Sequence, residues 1–316
     1  MSDSNPMLPV RLFHEDEIRD ILHYEALIPA MEHALIDFSS GAVQQPARTI
    51  LRQERNDGWF ACMPAIYKDV MGAKLVTFFP GNIRHALPTH MATIQIFNPE
   101  TGQPLAILDG RLITEMRTAA VSAVAVRLLA AQEANVLAIL GSGVQARAHL
   151  EALSLVRPFT EVRIAGRTPE HAQALVREIA EKKDNRMHAH STSAEDAVRG
   201  ADVVVTVTSS PQPVLQGAWL KEDALVVAVG AVAHDRRELD DDAMQGTVIV
   251  ESREAALRES GDIMLSGAQI YAELGELLSG QKALIASGRT IFKSLGVAAA
   301  DLAAARLVYQ AAKPKG

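Results

Sequence analysis

The feature that most constrains this chain is a glycine-rich segment between an apolar run and a helical pattern. Residues 136–140 are apolar, and the sequence GSGVQA follows them at residues 141–146. After a strand and before a helix, G-x-G-x-x-A is the fingerprint of a dinucleotide site. Gly141 allows the tight turn, Gly143 lets the backbone approach a pyrophosphate, and Ala146 permits close helix–strand packing. A nicotinamide dinucleotide site is therefore predicted, against the alternative of a glycine turn that binds nothing.

The residues around this segment alternate between apolar runs and helix-like stretches. Further apolar runs stand at residues 162–165, 203–207, 224–229 and 247–250. Such alternation is typical of a parallel sheet with crossover helices. We therefore predict an α/β chain with a Rossmann domain over residues 121–290.

The first third of the chain has an α+β pattern. Residues 11–40 carry apolar side chains at helical spacing until Gly41, and short strand-like runs separated by Pro and Gly then continue to residue 108. A long helix is predicted over residues 113–131. Residues 1–120 are thus expected to build a second domain.

Two segments near the end of the chain are also predicted to be helical, at residues 270–278 and 298–312. The last helix is expected to pack on the first half of the chain. The second domain, which we predict to bind the substrate, therefore comprises residues 1–120 together with 291–316.

Composition excludes several classes of partner and site. The chain has 316 residues, 48% of them hydrophobic, and its net charge of −7 with dispersed basic residues gives no footprint for nucleic acid or a membrane surface. A single cysteine, Cys62, excludes an internal disulfide framework and is expected to be a buried structural thiol. No signal segment or bilayer-length apolar run is recognised, so a soluble, unprocessed protein is expected, and the single cysteine fits a reducing cytoplasm.

Metal binding has no support in the histidine pattern. No H-x-x-x-H or H-E-x-x-H pair occurs among the ten histidines, and His188 and His190 stand in a polar stretch. We expect no metal site.

The end of the second apolar run of the sheet predicts which dinucleotide binds. NAD-preferring sites usually hold the ribose 2′-hydroxyl with a carboxylate there, but this run ends in Gly166, Arg167 and Thr168. An arginine can fork onto a 2′-phosphate and a threonine can add a hydrogen bond, so NADPH or NADP is favoured over NAD. The alternative is a solvated arginine in a loop.

Three cations outside the predicted Rossmann domain stand among apolar or small residues. They are Arg48, Lys74 and Arg117. Each alone is more often a structural ion pair or a side chain reaching to solvent. Together with a nicotinamide site they suggest a pocket for a carboxylate, which arginine binds through two parallel hydrogen bonds.

An ordered set of short motifs supports this assignment. The motifs are QPART (45–49), KLVTF (74–78), PTHMAT (88–93), RTAAVSA (117–123), GSGVQ (141–145), VRIAGRT (162–168), VGA (229–231), RELDD (237–241), ESGD (259–262) and IFKSLG (291–296). In these motifs the chain resembles the ornithine cyclodeaminase/mu-crystallin family and, within it, the ketimine reductases. The family pairs a Rossmann domain with a substrate-binding and dimerisation domain, so the resemblance implies a homodimer.

The resemblance also implies roles for individual residues. Arg48, Lys74 and Arg117 match residues that bind the substrate carboxylate, and Leu295 falls beside the substrate. We assign catalysis to Lys74 and Arg117. Beyond the fingerprint glycines, Arg167 and Thr168, the positions assigned to the dinucleotide are Thr89, Thr118, Val144, Gln145, Gly166, Thr208, Val229 and Ser294.

Two departures from ornithine cyclodeaminase distinguish between the activities of the family. Val232 and Ala61 stand where that enzyme has an aspartate and a glutamate. A diamine substrate needs a buried anion to replace lost solvation, and neither position supplies one. His234 and Asp235 follow closely and could compensate, although a solvated turn is the simpler interpretation.

The sequence therefore predicts NADPH-dependent reduction of a cyclic ketimine carboxylate, such as 1-pyrroline-2-carboxylate or 1-piperideine-2-carboxylate, to L-proline or L-pipecolate. Arg48 and Arg117 would hold the carboxylate, and Lys74, its pKa lowered by the guanidiniums, would keep the imine nitrogen protonated. The alternatives are ornithine cyclodeamination, amino acid oxidation as in alanine dehydrogenase, reduction of an opine or other imine, and a mu-crystallin-like binding protein without catalysis.

Overall fold

The computed structural model describes residues 9–181, 187–285 and 287–312 of the chain, which divides into two compact units. Unit 1 consists of Met1–Arg117 and Val297–Gly316, and unit 2 of Thr118–Gly296. The chain therefore returns from unit 2 to unit 1 after Gly296, whereas the sequence predicts this return after residue 290.

Unit 1 is built on a six-stranded sheet. Its strands are β1 (Arg11–Phe13), β2 (Thr49–Gln53), β3 (Gly58–Tyr67), β4 (Val70–Phe78), β5 (His90–Phe97) and β6 (Pro104–Asp109), in the order β1-β6-β5-β4-β3-β2. β1 is parallel to β6, and the other neighbours are antiparallel. The helices are α1 (Glu15–Ile21), α2 (Tyr24–Ser39), the first part of α3 (Gly110–Leu129) and α10 (Ala298–Ala311).

One face of this sheet is covered by helix and the other is open. α10 packs on β3, β4 and β5 and against α2. Side chains alternate between the faces of a strand, and on β3 Ala61, Met63 and Ala65 are buried whereas Phe60 and Ile66 are exposed. The buried side chains of the sheet therefore point toward α10.

Unit 2 is built on an eight-stranded parallel sheet. Its strands are β7 (Val136–Leu140), β8 (Glu161–Ala165), β9 (His188–Ser191), β10 (Val203–Thr206), β11 (Leu225–Ala228), β12 (Thr247–Val250), β13 (Ile270–Glu273) and β14 (Thr290–Lys293). Its helices, besides the rest of α3, are α4 (Val144–Ser154), α5 (Pro169–Glu181), α6 (Ala194–Val198), α7 (Arg253–Glu259), α8 (Gly261–Ser266) and α9 (Leu274–Leu278).

The strand order of unit 2, β13-β12-β14-β11-β10-β7-β8-β9, contains a reversal of winding. From β7 the chain moves outward to β8 and β9, and then returns to place β10 on the other side of β7. Ligands of open parallel sheets bind beyond the carboxyl ends of the strands at such a reversal. The fold class predicted from the sequence, an α/β chain with a Rossmann sheet and an α+β unit, is confirmed.

Four short strands differ from the sequence prediction. Residues 11–13 and 270–273 form the strands β1 and β13 instead of helices. Runs this short fit the hydrophobic period of a helix as well as that of a strand. The sequence does not predict β9, because its residues, HAHS, contain no apolar run. β14 lies in the middle of the unit 2 sheet, between β11 and β12, which explains why the unit boundary falls after it.

Within the described residues, no helix combines the length and apolar character that crossing a membrane would require.

Candidate functional site

The glycine-rich turn after β7 has the geometry of a pyrophosphate cradle. Gly141 has φ +129°, and a Cβ on it would lie 2.7 Å from the carbonyl oxygen of Val207. Gly143 caps α4, and a Cβ built there would meet no atom within 4 Å. No side chain caps the first amides of α4, which begins at Val144 and Gln145. Open space beside uncapped amides at a helix N-terminus fits an anionic phosphate.

Most of the other predicted dinucleotide positions directly follow strands of the unit 2 sheet. These positions are Gly166, Arg167 and Thr168 after β8, Thr208 after β10, Val229 after β11 and Ser294 after β14. Parallel strands end at the same edge of a sheet, so these residues share the edge to which Gly141 belongs. Of the remaining two, Thr118 lies on α3, and Thr89 belongs to unit 1, immediately before β5.

The end of β8 offers a cation and no carboxylate. Arg167 is exposed at this end of the strand. A Cβ on the preceding Gly166 would lie 2.9 Å from Oγ of Ser142, so the β8 loop passes close to the glycine-rich turn. A 2′-phosphate on a ribose bound at this edge would meet a guanidinium.

A fully buried polar network supports the same edge, and sequence reasoning gave it no role. Glu238 accepts hydrogen bonds from the Thr206 hydroxyl (2.7 Å) and the Thr208 amide (2.6 Å). The Glu238 amide donates to Asp262 (2.7 Å), whose other carboxylate oxygen lies 2.8 Å from Nζ of Lys293. Burial raises the pKa of Glu238, against the opposing effect of Lys293. The network holds the loop after β10 in place.

Leu295, which the sequence predicts to lie beside the substrate, belongs to unit 2, and its side chain is part of that unit's apolar core, 6% exposed. Its place beside the substrate stays a prediction. Its amide donates to the buried carboxylate of Glu251 at 2.6 Å.

Unit 1 contains a buried cluster of two cations on one carboxylate. Nζ of Lys74 lies 2.7 Å from Oδ2 of Asp301, and Nε of Arg117 donates to Oδ1 of Asp301 at 2.9 Å. Their residue exposures are 2%, 5% and 0% for Lys74, Arg117 and Asp301. Buried charges this close must be paired, so the three side chains form one unit.

Three elements bring these side chains together. Lys74 stands on β4, opposite Met63 and Ile94, on the face that α10 covers. Asp301 occupies the first turn of α10, where the helix dipole favours a negative charge. Arg117 lies on α3 and is the last residue of unit 1 before the chain enters unit 2.

Burial lowers the pKa of Lys74 to about 7, with further lowering by Arg117 and Arg48 and an opposing effect from Asp301. The sequence predicted the direction of this shift, but it attributed the shift to the guanidiniums rather than to desolvation. Burial alone would raise the pKa of Asp301, yet Arg117 and Lys74 together hold it below its usual value. The carboxylate of Asp301 is therefore charged, and Lys74 exchanges its proton near neutral pH.

His90 was not singled out by the sequence, although it stands inside the PTHMAT motif. It is the first residue of β5 and is partly buried. Burial lowers its pKa to about 4, with Lys74 and Arg117 acting in the same direction. His90 is therefore neutral at physiological pH and adds no charge to the cluster.

The cluster has more positive than negative charge. Nη1 of Arg117 is buried and has no hydrogen-bond partner among the described residues. Arg48, which precedes β2 and is partly buried, acts electrostatically on Lys74. The two cations that pair with the single carboxylate of Asp301 leave one positive charge in excess, which favours an added anion, and a guanidinium edge favours a carboxylate.

The two positions that distinguish this chain from ornithine cyclodeaminase offer no anion. Ala61 is fully buried on β3, opposite Val76, on the face that carries Lys74. Val232 is 44% exposed, and His234 and Asp235 after it are exposed as well. The arrangement therefore suits a substrate with a carboxylate better than one with a second ammonium group.

Among the residues that the structure describes, no group of three or more His, Cys, Asp and Glu side chains could hold a metal ion. His188 and His190 lie on β9 with their ring centroids 5.4 Å apart.

Comparison with known proteins places the chain among nicotinamide enzymes. The model of the ornithine cyclodeaminase/mu-crystallin family matches residues 11–316. The ketimine reductase mu-crystallin of Rattus norvegicus is 46% identical over 301 residues, covering 93% of this chain and 95% of the rat protein.

Two solved structures share the whole fold. The Δ1-pyrroline-2-carboxylate reductase of Thermococcus litoralis, in complex with NADH and L-proline, has a TM-score of 0.91 at 32% identity and covers 96% of this chain and 97% of its own. An archaeal alanine dehydrogenase dimer with bound NAD has a TM-score of 0.91 at 31% identity and covers 96% of both chains.

Proposed function

Because the chain belongs to the ornithine cyclodeaminase/mu-crystallin family, we propose that it is a ketimine reductase that converts cyclic imine carboxylates to cyclic amino acids. It is an oxidoreductase that uses a nicotinamide dinucleotide. The substrates are 1-pyrroline-2-carboxylate and 1-piperideine-2-carboxylate, and the products are L-proline and L-pipecolate.

The cluster of Lys74, Arg117 and Asp301 carries this proposal. The buried Nη1 of Arg117 lacks a partner among the described residues, and a substrate carboxylate would supply one. Arg48 adds a second cation at this site. We assign the binding of the substrate carboxylate to Arg117 and Arg48.

Lys74 supplies the proton that the reaction needs. With a pKa of about 7, it can hold a proton near the imine nitrogen and release it within the physiological range. A protonated imine accepts a hydride more readily than a neutral one. When bound, the reduced nicotinamide supplies that hydride.

The preference for NADPH over NADH is part of the proposal and rests on the end of β8. Arg167 is exposed there, Thr168 follows it, and no carboxylate stands where an NAD-specific site would hold the ribose hydroxyls. The two solved relatives contain NADH and NAD, so the preference is a property we assign to this chain's own loop.

We also propose that the protein is a homodimer that joins the open faces of two unit 1 sheets. Five apolar side chains share that face by strand register, and each is more than a third exposed: Leu51, Phe60, Ile66, Leu75 and Met91. Contiguous apolar surface of this kind marks an interface. The alanine dehydrogenase relative is a dimer. Cys62 lies on the same face and is half-buried, so it is not the buried thiol that the sequence predicted. Because a single free cysteine is typical of proteins in a reducing compartment, we propose a cytoplasmic location.

Amino acid oxidation is the second candidate, because alanine dehydrogenase uses the same hydride transfer in the opposite direction. Ornithine cyclodeamination is disfavoured by the buried, uncharged Ala61 on the face of Lys74. A purely binding protein would have no need for a lysine whose proton exchanges near neutral pH.

A substrate panel tests the proposal. Initial rates of NADPH oxidation are measured with both cyclic imines, and NADP reduction is measured with L-ornithine and L-alanine, with ammonia release followed in parallel. We expect rapid NADPH oxidation with at least one cyclic imine and none of the ammonia that deamination produces. Turnover of L-ornithine or L-alanine without turnover of either imine would refute the assignment.

A further inference from the structure

Asp301 links the two side chains to which the proposed reaction assigns catalysis. Each of its carboxylate oxygens binds one cation, Oδ1 at Arg117 Nε (2.9 Å) and Oδ2 at Lys74 Nζ (2.7 Å). The residue is completely buried in the first turn of α10. A single carboxylate therefore fixes the positions of two long side chains that would otherwise lose considerable freedom on binding a substrate.

The geometry at Arg117 leaves the guanidinium prepared for a second carboxylate. Asp301 takes Nε, and the buried Nη1 on the opposite side has no partner among the described residues. A guanidinium held by one edge presents its other edge in a fixed direction, which is the requirement for a bidentate carboxylate contact.

The charges around Lys74 explain why Asp301 also matters for the proton. Arg117 on α3 and Arg48 before β2 are cations, and His90 on β5 is neutral. Asp301 on α10 is the one anion that acts on Lys74 in this part of the described chain, and it opposes the lowering of the Lys74 pKa. Without it, a buried ammonium would stand beside two guanidiniums, which strongly favours loss of its proton.

We propose that Asp301 is a positioning residue of the reductase: it orients the Lys74 ammonium and the Arg117 guanidinium for the substrate and keeps Lys74 charged. This inference rests on the proposed function. It predicts that Asp301 acts without touching the substrate, through the two residues that do.

The Asp301→Asn variant tests this idea because it keeps the shape of the side chain and removes its charge. The alkaline limb of the kcat/KM profile, which reports loss of the Lys74 proton, is expected to move by about one pH unit or more toward acid. The pKa of the free imine substrate is the same for all variants, so it does not contribute to a difference between their profiles. Asp69→Asn is the matched control, since Asp69 also pairs with a side chain of α10, Arg306, but near solvent; its profile is expected to match the wild type.

A second measurement follows the protonation of Lys74 directly and does not require that the enzyme turn over a substrate. NMR of lysine labelled at its side chain, with the Lys74 signal assigned through Lys74→Met, follows the titration directly. The wild type is expected to titrate near pH 7, and Asp301→Asn about one pH unit or more lower. An inactive wild type would refute the proposed function yet leave this test valid. Unchanged titration of Lys74 in Asp301→Asn would overturn the role of Asp301 itself.

The Asp301→Glu variant distinguishes the orientation of the two cations from the effect of the negative charge. It also tests the role of Asp301 if Asp301→Asn does not fold. The longer side chain keeps the anion and displaces it. Lys74 is then expected to titrate close to its wild-type value, while kcat/KM falls about tenfold because the cations are misplaced. Wild-type kcat/KM in this variant would contradict a positioning role.

Discussion

Lys74 is the residue whose charge the proposed chemistry depends on. Its burial under α10 lowers its pKa to about 7, so the ammonium that the reaction needs is present at acid and neutral pH and is lost as pH rises. The rate of imine reduction should accordingly decline on the alkaline side of neutrality. Its two guanidinium neighbours act in the same direction as burial, and only Asp301 opposes them.

Replacement of Lys74 by Met should lower kcat for imine reduction about a hundredfold and abolish the alkaline limb near neutral pH, because the proton donor is removed. Steady-state kinetics across the neutral and alkaline range measure both effects. Lys68→Met is the control, since Lys68 pairs with Asp37 at the surface of the same unit. If Lys74→Met raised KM and left kcat intact, Lys74 would be a binding residue only.

Replacement of Arg167 by Ala should weaken NADPH binding about tenfold to a hundredfold while NADH binding changes little, because charge-assisted hydrogen bonds to a 2′-phosphate are lost. Fluorescence titration of both dinucleotides gives the two dissociation constants. Arg258→Ala, another exposed arginine of unit 2, should leave both unchanged. Equal losses for NADPH and NADH would rule out recognition of the 2′-phosphate.

The cations of the site could be suspected from sequence because each stands among apolar or small residues. Asp301 carries the same signal, a lone charge in the alanine-rich segment AAADLAAA, and so does Lys293 in TIFK. What sequence could not supply was the pairing. Arg117 and Asp301 are 184 positions apart, and only the packing of α10 on the sheet brings them together.

At the scale of elements, the two glycines of the turn after β7 have separable roles. Gly141 is required by backbone geometry, since its φ is +129° and a Cβ would meet the Val207 carbonyl at 2.7 Å. Gly143 has open space where a Cβ would stand, so the fold does not require its small size, and we expect the dinucleotide to require it.

Gly141→Ala should lower the free energy of unfolding by about 1–3 kcal/mol and also impair dinucleotide binding, because the turn is strained and must shift. Gly143→Ala should leave stability near the wild-type value and weaken dinucleotide binding, because the new methyl group occupies the phosphate approach. Denaturant unfolding and dinucleotide titration distinguish the two. Equal destabilisation by both substitutions would contradict this division of roles.

The elements that sequence predicted well are those with a strong periodic signal. β7 and β11 are apolar along their whole length, and β10 is apolar up to its last residue, Thr206, because parallel strands of a central sheet are buried on both faces. β9 is an edge strand, so half-exposed polar residues suffice there. β13 and β14 each have four residues, too few for a period to separate strand from helix.

For the whole molecule, we propose that the open face of the unit 1 sheet forms the dimer interface. Leu51 is 61% exposed and stands beside Phe60 in register on this face. Leu51→Lys should shift the protein from dimer to monomer, because a charge would be buried in an apolar interface. Light scattering after size-exclusion chromatography measures the mass. Leu257→Lys, at an exposed leucine on α7 of unit 2, should leave the dimer intact; a monomeric wild type would refute the proposed dimer.

The sequence indicates two units, because the glycine-rich dinucleotide motif and the alternation of apolar runs with helices mark where the Rossmann part begins. The sequence predicts the return of the chain to unit 1 after residue 290, whereas the units of the structure divide after Gly296. The difference is β14, which has no distinctive sequence signal but pairs with both β11 and β12. Pairing partners of a parallel strand are distant along the chain, so the position of such a strand becomes clear only in the folded sheet.

In the proposed reaction, a hydride passes from the nicotinamide to the imine carbon of a cyclic carboxylate. The most direct measurement uses NADPH deuterated at C4 of the nicotinamide on the transferred side, with 1-pyrroline-2-carboxylate as substrate and NMR analysis of the proline formed. Our account predicts L-proline with deuterium at C2. Proline without the label, or no proline at all while another substrate consumes the cofactor, would contradict it.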